Sequence, residues 1–209
     1  MTDGEAKTLV RDDRAFVGVA GPEARSFLQG LLSQDVEKAT PERSAYGALL
    51  TPQGKFLHDL FLTELGGGVV LECERERADD LTLRLKRYRL RSKVEIAHVE
   101  GWSAAVVFGA DPFGLGEAPG ATRREGDLAI YVDPRLAALG VRVVGPSEAV
   151  QAKVAGYATG AAADYRRFRL SLGVPEGAED IPVDRGFLLE NGFDELNGVD
   201  WRKGCYVGQ

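Results

Sequence analysis

The stretch that decides the fold is Lys203-Gly204-Cys205-Tyr206-Val207-Gly208-Gln209. Its two glycines permit backbone angles that other residues avoid, which predicts a loop that another group can approach closely. If this loop is extended, Lys203 and Cys205 project to the same side, because alternate residues of an extended chain share a face. A neighbouring ammonium favours the thiolate, which is the reactive form of cysteine. Spacing alone leaves two interpretations equally open: a reactive cysteine, or a loop cysteine without chemistry.

Other nucleophiles and metal ligands are few. Cys73 lies in the apolar run Val-Val-Leu-Glu-Cys and is predicted to be a buried thiol without a role. Two cysteines and two histidines, far apart in the sequence, do not have the spacing of a zinc site. An iron–sulfur cluster usually needs four thiolates, so a cluster handled by this chain requires a partner or a transient ligand. We therefore predict no metal site in the chain itself.

His58 and Asp59 are neighbours in a predicted strand. Adjacent strand residues point to opposite faces, so these two side chains cannot easily act together on one atom. The simpler interpretation is that one faces solvent and the other makes a local hydrogen bond. His98, at the end of another predicted strand, is interpreted as structural.

The composition is that of an ordinary globular chain. Its 209 residues suit one large or two small domains, with 44% hydrophobic and 28% charged residues. The net charge of -6 repels nucleic acid, so RNA binding would need a local basic patch. The two cysteines indicate a reducing compartment. The acidic first 19 residues do not resemble a signal or transit peptide, and no run of 18 apolar residues exists. We expect a cytoplasmic monomer without a membrane segment.

A basic stretch covers the second half of a predicted helix and the residues just after it. A solvated helix face is the default interpretation of such a stretch. The alternative is an anion site, because arginine forks match carboxylates in two-point contacts, and the anion could be a carboxylate tail or a phosphate backbone. The cations are Arg84, Lys86, Arg87, Arg89, Arg91 and Lys93.

Hydrophobic periodicity predicts an α+β fold with mainly antiparallel sheet. Strands are predicted at 16–20, 46–50, 56–65, 69–73, 94–99, 102–108, 128–132 and 141–144, and helices at 24–32, 77–90 and 162–170. Residues 51–54 are predicted to turn a hairpin, and 94–99 to pair with 102–108. The Gly- and Pro-rich residues 109–126 suggest a boundary between two sub-domains, 1–108 and 109–209. Their glycines lack the spacing of a phosphate-binding loop.

Several stretches together resemble the YgfZ family, which includes a mitochondrial iron–sulfur assembly factor. Residues 203–209 are similar to the family signature. Residues 164–169, Asp-Tyr-Arg-Arg-Phe-Arg, and 173–177, Gly-Val-Pro-Glu-Gly, resemble its "YxRxR…GVPEG" stretch. Residues 88–94 are similar to its "YRLRSKV". The matches run from about residue 19 to Gln209, and the family signature continues beyond that residue with a glutamate.

The resemblance implies a fold shared with the glycine-cleavage aminomethyltransferases, with packed helices and mainly antiparallel sheets around a folate cavity. The family's C-terminal β-barrel lobe is absent from this chain. The implied function is a tetrahydrofolate-binding protein that assists assembly or repair of iron–sulfur enzymes, with iron–sulfur client or assembly proteins as partners. The implied reactive residues are Cys205 and Lys203. The positions implied around the pterin are Asp59, Tyr88, Arg91, Arg169 and Glu190.

Two other functions remain open. One is a folate-dependent, aminomethyltransferase-like one-carbon transferase, which is the reaction expected if the protein is an enzyme. Against it, aminomethyltransferases carry paired acids where this chain has His58-Asp59, and they lack the signature cysteine. The other is a tRNA-modification accessory protein that binds RNA through residues 84–93, which the acidic net charge disfavours.

Overall fold

The computed structural model describes residues 6–209. Within this range the strands are β1 (Lys7–Val10), β2 (Arg14–Ala20), β3 (Ala45–Leu50), β4 (Phe56–Leu65), β5 (Gly68–Glu74), β6 (Glu95–His98), β7 (Trp102–Phe108), β8 (Thr122–Glu125), β9 (Leu128–Val132), β10 (Val141–Pro146) and β11 (Ala158–Thr159). The α-helices are α1 (Ala24–Gln29), α2 (Ala78–Arg89), α3 (Ser147–Val154), α4 (Ala162–Ser171) and α5 (Gly177–Asp180).

A five-stranded antiparallel sheet carries most of the first half of the chain. Its strand order is β3-β4-β5-β2-β6. The β3–β4 hairpin closes where Thr51-Pro52-Gln53-Gly54 predicts a turn, with Gly54 at a φ of 77°. One face of the sheet packs on α1 and α2 in a core of aliphatic side chains such as Leu28, Leu71 and Leu81. The two helices α1 and α2 therefore cover this face of the sheet.

A six-stranded sheet lies against the other face. Its order is β11-β1-β7-β10-β9-β8, and only the short β1–β11 pair is parallel among the described strands. Phe16 and Val70 of the first sheet meet Ala104, Tyr131 and Val144 of the second in one apolar cluster. The α+β class with mainly antiparallel sheet is confirmed. In residues 6–209, no helix is both long and apolar enough to cross a membrane.

The predicted pairing of 94–99 with 102–108 is wrong. Strand β6 pairs with β2, whereas β7 pairs with β1 and β10 in the other sheet. Periodicity identifies a strand but not its partner. The burial of the two strands differs accordingly, because β7 is buried on both faces as an interior strand while β6 exposes one face at an edge.

The second sheet takes strands from both sides of residue 108. Strands β1 and β7 precede that residue, and β8 to β11 follow it. The two sheets are therefore not separated at residue 108. The division into sub-domains 1–108 and 109–209 stays a prediction. Strand β8 forms within the stretch 109–126 that is predicted to be a loop.

Candidate functional site

The signature loop presents its cysteine to solvent. Cys205 is exposed and free, whereas Cys73 is buried in β5. Burial raises the pKa of the Cys73 thiol to about 12. Since the thiolate is the nucleophile, only Cys205 is placed to react in the folded protein.

Lys203 fastens the loop to the end of α1. Its ammonium donates to the carbonyl oxygens of Gln29 at 2.9 Å, Leu32 at 2.6 Å and Gln34 at 2.9 Å. Gln29 is the last residue of α1, and a helix leaves its last carbonyls without partners inside the helix. Leu32 and Gln34 lie in the segment that follows α1. Burial lowers the pKa of Lys203 to about 8, against the charges of Asp35 and Asp200. The three hydrogen bonds of the Lys203 ammonium all go to backbone oxygens. The expected effect of this ammonium on the Cys205 thiol therefore stays a prediction.

Four further contacts hold the loop on either side of Cys205. The Asp200 carboxylate accepts from the backbone N–H groups of Arg202 and Lys203 and pairs with Lys38 at 2.6 Å. The amide of Val207 donates to the Gly30 carbonyl at 3.0 Å. The loop is thus a fixed platform for an exposed thiol.

The approach of the loop to the β3–β4 turn requires a glycine. Gly208 has a φ of 82°, which side chains disfavour, and a Cβ on it would lie 2.2 Å from the Thr51 carbonyl oxygen. The second signature glycine, Gly204, has open space around it. The predicted need for close approach is therefore met at Gly208.

A cluster of buried charges lies between the two sheets. It contains five arginines and three carboxylates, each at most 6% exposed. Lone buried charges are very costly, so such groups occur in ion-paired networks. The cluster comprises Arg11, Arg14, Glu72, Asp133, Arg135, Arg142, Arg169 and Glu176.

Glu176 is the centre of one side of this cluster. Its two carboxylate oxygens accept from the two terminal nitrogens of Arg11 at 3.1 Å each. Arg135 approaches it at 3.7 Å and Arg169 at 3.6 Å. Burial alone would raise the pKa of Glu176, but the charges of Arg11 and Arg135 hold it well below its usual range. Glu176 therefore stays ionised and ties the start of α5 to α4 and to the segments that follow β1 and β9.

Phe61 is the centre of the other side. The guanidinium carbons of Arg142, Arg135 and Arg14 lie 3.8, 4.8 and 5.6 Å from its ring centroid. Arginines over an aromatic face are attracted by its quadrupole. The Glu72 carboxylate pairs with both Arg14, at 3.0 Å, and Arg142. One uncharged ring and one carboxylate thus join cations from the two sheets.

Asp59 and Glu74 form a carboxyl pair beside this cluster. The β4–β5 register, with Phe61 opposite Glu72, places Asp59 opposite Glu74. A Cβ on Gly177 would lie 2.5 Å from one Glu74 oxygen and 3.1 Å from Oδ1 of Asp59. Burial and the Asp59 charge raise the pKa of Glu74. Asp59 accepts from the Tyr46 hydroxyl at 3.2 Å, while its Oδ1 is buried without a hydrogen-bond partner.

Glu74 was not predicted as a site residue, because its partner Asp59 lies on the neighbouring strand and not beside it in the chain. The signal that could have found it is the hairpin register, which sets cross-strand neighbours. His58 points away from Asp59, as predicted, and its Nε2 contacts Asp80 at 2.9 Å. The expectation that one of the two faces solvent is wrong, because each is only 1% exposed. Burial lowers the pKa of His58 to about 4.

A cleft of about 560 Å³ opens at the ends of β2 and β5 and at the start of α5. Glu74 lines it, and Arg14 and Glu176 bring the buried cluster to its wall. A second cleft of about 590 Å³ lies on the other side of Arg11, towards α4. The first cleft is lined by Arg11, Asp12, Asp13, Arg14, Glu74, Arg75, Glu76, Arg77, Glu176, Ala178 and Glu179.

The five positions expected around a pterin are not gathered at one place. Arg169 belongs to the buried cluster and donates to the Val174 carbonyl and to Asp180, both at 2.6 Å. Asp59 lies beside the cluster. Tyr88 and Arg91 are exposed at the end of α2 and in the turn after it. Glu190 is exposed in the 3-10 turn Leu189–Asn191.

Among residues 6–209, no group of three or more His, Cys, Asp or Glu side chains could hold a metal ion.

Comparison with known proteins gives matches along the whole chain. No family model matches. The chain is 34% identical to the mitochondrial iron-sulfur cluster assembly factor IBA57 of Homo sapiens, over 100% of this chain and 62% of that protein. The Mus musculus protein of the same name is 33% identical over 99% of this chain and 62% of its own length. The Neurospora crassa homolog is 30% identical over 100% of this chain and 50% of its own length. The chain thus spans half to two thirds of the curated relatives it matches.

The expectation of a cytoplasmic protein is wrong on this comparison, because the relatives are named as mitochondrial factors. The composition of residues 1–19 describes that stretch alone and does not report on the compartment.

A solved structure supports the fold. The crystal structure of glycine cleavage system aminomethyltransferase T from Bartonella henselae matches with a TM-score of 0.59 and 17% identity, over 74% of this chain and 45% of that one. This likeness concerns the fold alone. The relatives that match this chain from end to end agree with the signature loop: along its whole length the chain is similar to iron-sulfur cluster assembly factors, as its resemblance to the YgfZ-type family implies.

Proposed function

We propose that this chain is part of a factor that assists assembly or repair of iron–sulfur enzymes through Cys205. The relatives' names support the function, since they are iron-sulfur cluster assembly factors. The observation that carries the residue is the exposed thiol on an anchored loop. A fixed, accessible thiol can meet the atoms of a partner protein without first paying the entropy of ordering its loop. The partners are iron–sulfur client or assembly proteins.

The two cysteines provide a matched test. Full-length protein with Cys205→Ser is expected not to restore iron–sulfur enzyme activity in cells that lack their own copy. Cys73→Ser, which changes the buried thiol, is the control and is expected to restore activity if the protein level is maintained. Full activity of the Cys205→Ser protein would remove this residue from the mechanism.

Tetrahydrofolate is the ligand we propose for the cleft, on the strength of the aminomethyltransferase fold. A pterin ring presents neighbouring N–H donors, and a carboxylate accepts such donors in pairs. Glu74 on the cleft wall would hold the ring, with the unpartnered oxygen of Asp59 buried behind it. Arg75 and Arg77 on the cleft wall would hold the carboxylate tail. The donors and acceptors present therefore fit this ligand, which carries one-carbon units.

Calorimetric titration with tetrahydrofolate tests the proposal and locates the site. Saturable binding that Glu74→Gln weakens and Arg91→Ala leaves unchanged is expected for the cleft. The opposite pattern would move the site to the end of α2, as the family resemblance implies for Tyr88 and Arg91. Absence of binding to the wild-type protein would remove folate from the function.

The carboxyl pair favours a second candidate, a folate-dependent one-carbon transferase. A carboxyl group beside another carboxylate holds its proton more tightly, which suits a general acid. Burial and the Asp59 charge raise the pKa of Glu74, so Glu74 is the candidate for this role. Turnover of methylene-tetrahydrofolate with an amine acceptor, lost in Glu74→Gln and retained in Glu76→Gln, would establish this reaction. Tight folate binding without turnover would exclude it.

A further inference from the structure

The turn after α2 places a leucine where the backbone favours glycine. The amide of Ser92 donates to the Arg89 carbonyl at 2.8 Å, which closes a four-residue turn. Leu90, its second residue, has φ 45° and ψ −107°. These angles are those of the glycine position in a type II′ turn, and a branched side chain is strained there. Leu90 is also 86% exposed, so no packing within the described fold compensates for this strain.

The surroundings of Leu90 are basic and partly apolar. Residues 81–94 contain six cations and no acid, in a chain with a net charge of -6. Within residues 6–209, only Arg84 of these cations forms an ion pair, with Asp80. Leu83, on the last two turns of α2 before Leu90, is a second exposed leucine, at 49% exposure. We define the Leu90 surface as Leu83, Lys86, Arg87, Leu90 and Arg91.

The fold does not depend on this surface. Helix α2 packs through Ala78, Leu81, Thr82 and Leu85 against the first sheet. The side chains of the Leu90 surface point away from that core. Strained residues persist at sites of function, where an exposed and strained side chain has a task outside the fold.

We propose that the Leu90 surface docks a protein partner whose contact face is acidic and contains an apolar pocket for Leu90. Unpaired cations on this surface complement acidic side chains and accelerate encounter. A buried apolar anchor ringed by charged groups is the arrangement of a binding hot spot. The docking surface is separate from Cys205 and from the cleft, so it does not rest on either proposed function.

The apolar anchor distinguishes this partner from the other anionic surfaces. RNA offers phosphates to cations and base faces to aromatic rings, and neither gives a leucine a pocket. A lipid surface takes up a continuous apolar face, and this surface has two leucines among cations. A protein face with acidic side chains around an apolar hollow is the occupant that uses both features.

A defined probe tests the proposal on the full chain. The probe is a fluorescent helical peptide of glutamates with leucines two turns apart, compared with a peptide in which serine replaces leucine. The leucine peptide is expected to bind at low salt and to lose about tenfold in affinity with Leu90→Gly, and similarly with Arg87→Glu. Because Leu90→Gly relieves backbone strain, its loss of binding cannot result from unfolding.

Two variants elsewhere on the surface are controls. Leu170→Ser on α4 removes another exposed leucine, and Arg185→Glu reverses another exposed cation. Both are expected to bind the leucine peptide like the wild type. Equal binding of the serine peptide, unchanged binding by Leu90→Gly, or tighter binding of tRNA or of phosphatidylserine vesicles would overturn the proposal.

Discussion

Replacing Lys203 by methionine should release the signature loop while the fold stays intact. The ammonium makes three hydrogen bonds of 2.6 to 2.9 Å to carbonyl oxygens, and methionine keeps the length of the stem without the charge. A hydrogen bond to a charged group contributes about 1.5–3 kcal/mol. Here the half-buried Lys203 ammonium makes all three hydrogen bonds. Water can replace the ammonium at the carbonyl oxygens once the loop opens. We therefore expect a net loss of about 2–3 kcal/mol of docking free energy, which is about a 30- to 150-fold shift towards the open loop.

Amide hydrogen exchange measures this shift directly. The Val207 amide is protected by its bond to the Gly30 carbonyl and exchanges when the loop opens. Its protection factor should fall in Lys203→Met by the same factor, while amides of β4 and β5 keep theirs. Arg202→Met, which removes the exposed neighbouring cation, is the control and should change neither. Unchanged protection of Val207 in Lys203→Met would refute the anchoring role.

Three further predictions concern the rest of the chain. Leu90→Gly should raise the free energy of unfolding by about 1 kcal/mol in urea titration, and a loss would contradict the strained turn. His58 has a folded pKa of about 4 against 6.5 unfolded, so its contribution is present above pH 6.5 and is lost towards pH 4. That contribution is about 3 kcal/mol, and His58→Gln should flatten the stability–pH curve in this window. Gly177→Ala should destabilise by about 2 kcal/mol, because its φ is 48° and the new methyl meets Glu74. Gly173→Ala, with φ 71° and open space, isolates the strain, and an equal loss in both variants would refute the clash.

Local patterns predicted the elements well where one rule decided them. The strand at 56–65 and the helix at 162–170 match β4 and α4 within one residue. In both, hydrophobic spacing and flanking turn residues act within a few residues of each other. The pairing of β6 and β7 failed because it depends on contacts between distant segments, which spacing along the chain does not encode.

The buried charge cluster was not predictable for the same reason. Its arginines are spread from Arg11 to Arg169, and each alone is typical of the surface. Only Arg142, between valines of an apolar run, signals a charge inside a strand. The anchor of Lys203 escaped prediction too, because its acceptors belong to residues 29 to 34. The loop itself was predictable because its glycines act locally.

The position of β1 in the second sheet sets an order of events during synthesis. β1 pairs with β7, which leaves the ribosome about 100 residues later, and β7 in turn needs β10 as its other neighbour. All strands of the first sheet have been synthesised once the chain reaches His98. This sheet can therefore form while β1 still lacks its partner β7. A strand with exposed edges is open to wrong partners until then. A nascent chain of this protein therefore depends on the speed of translation, or on a chaperone, to protect its first strand.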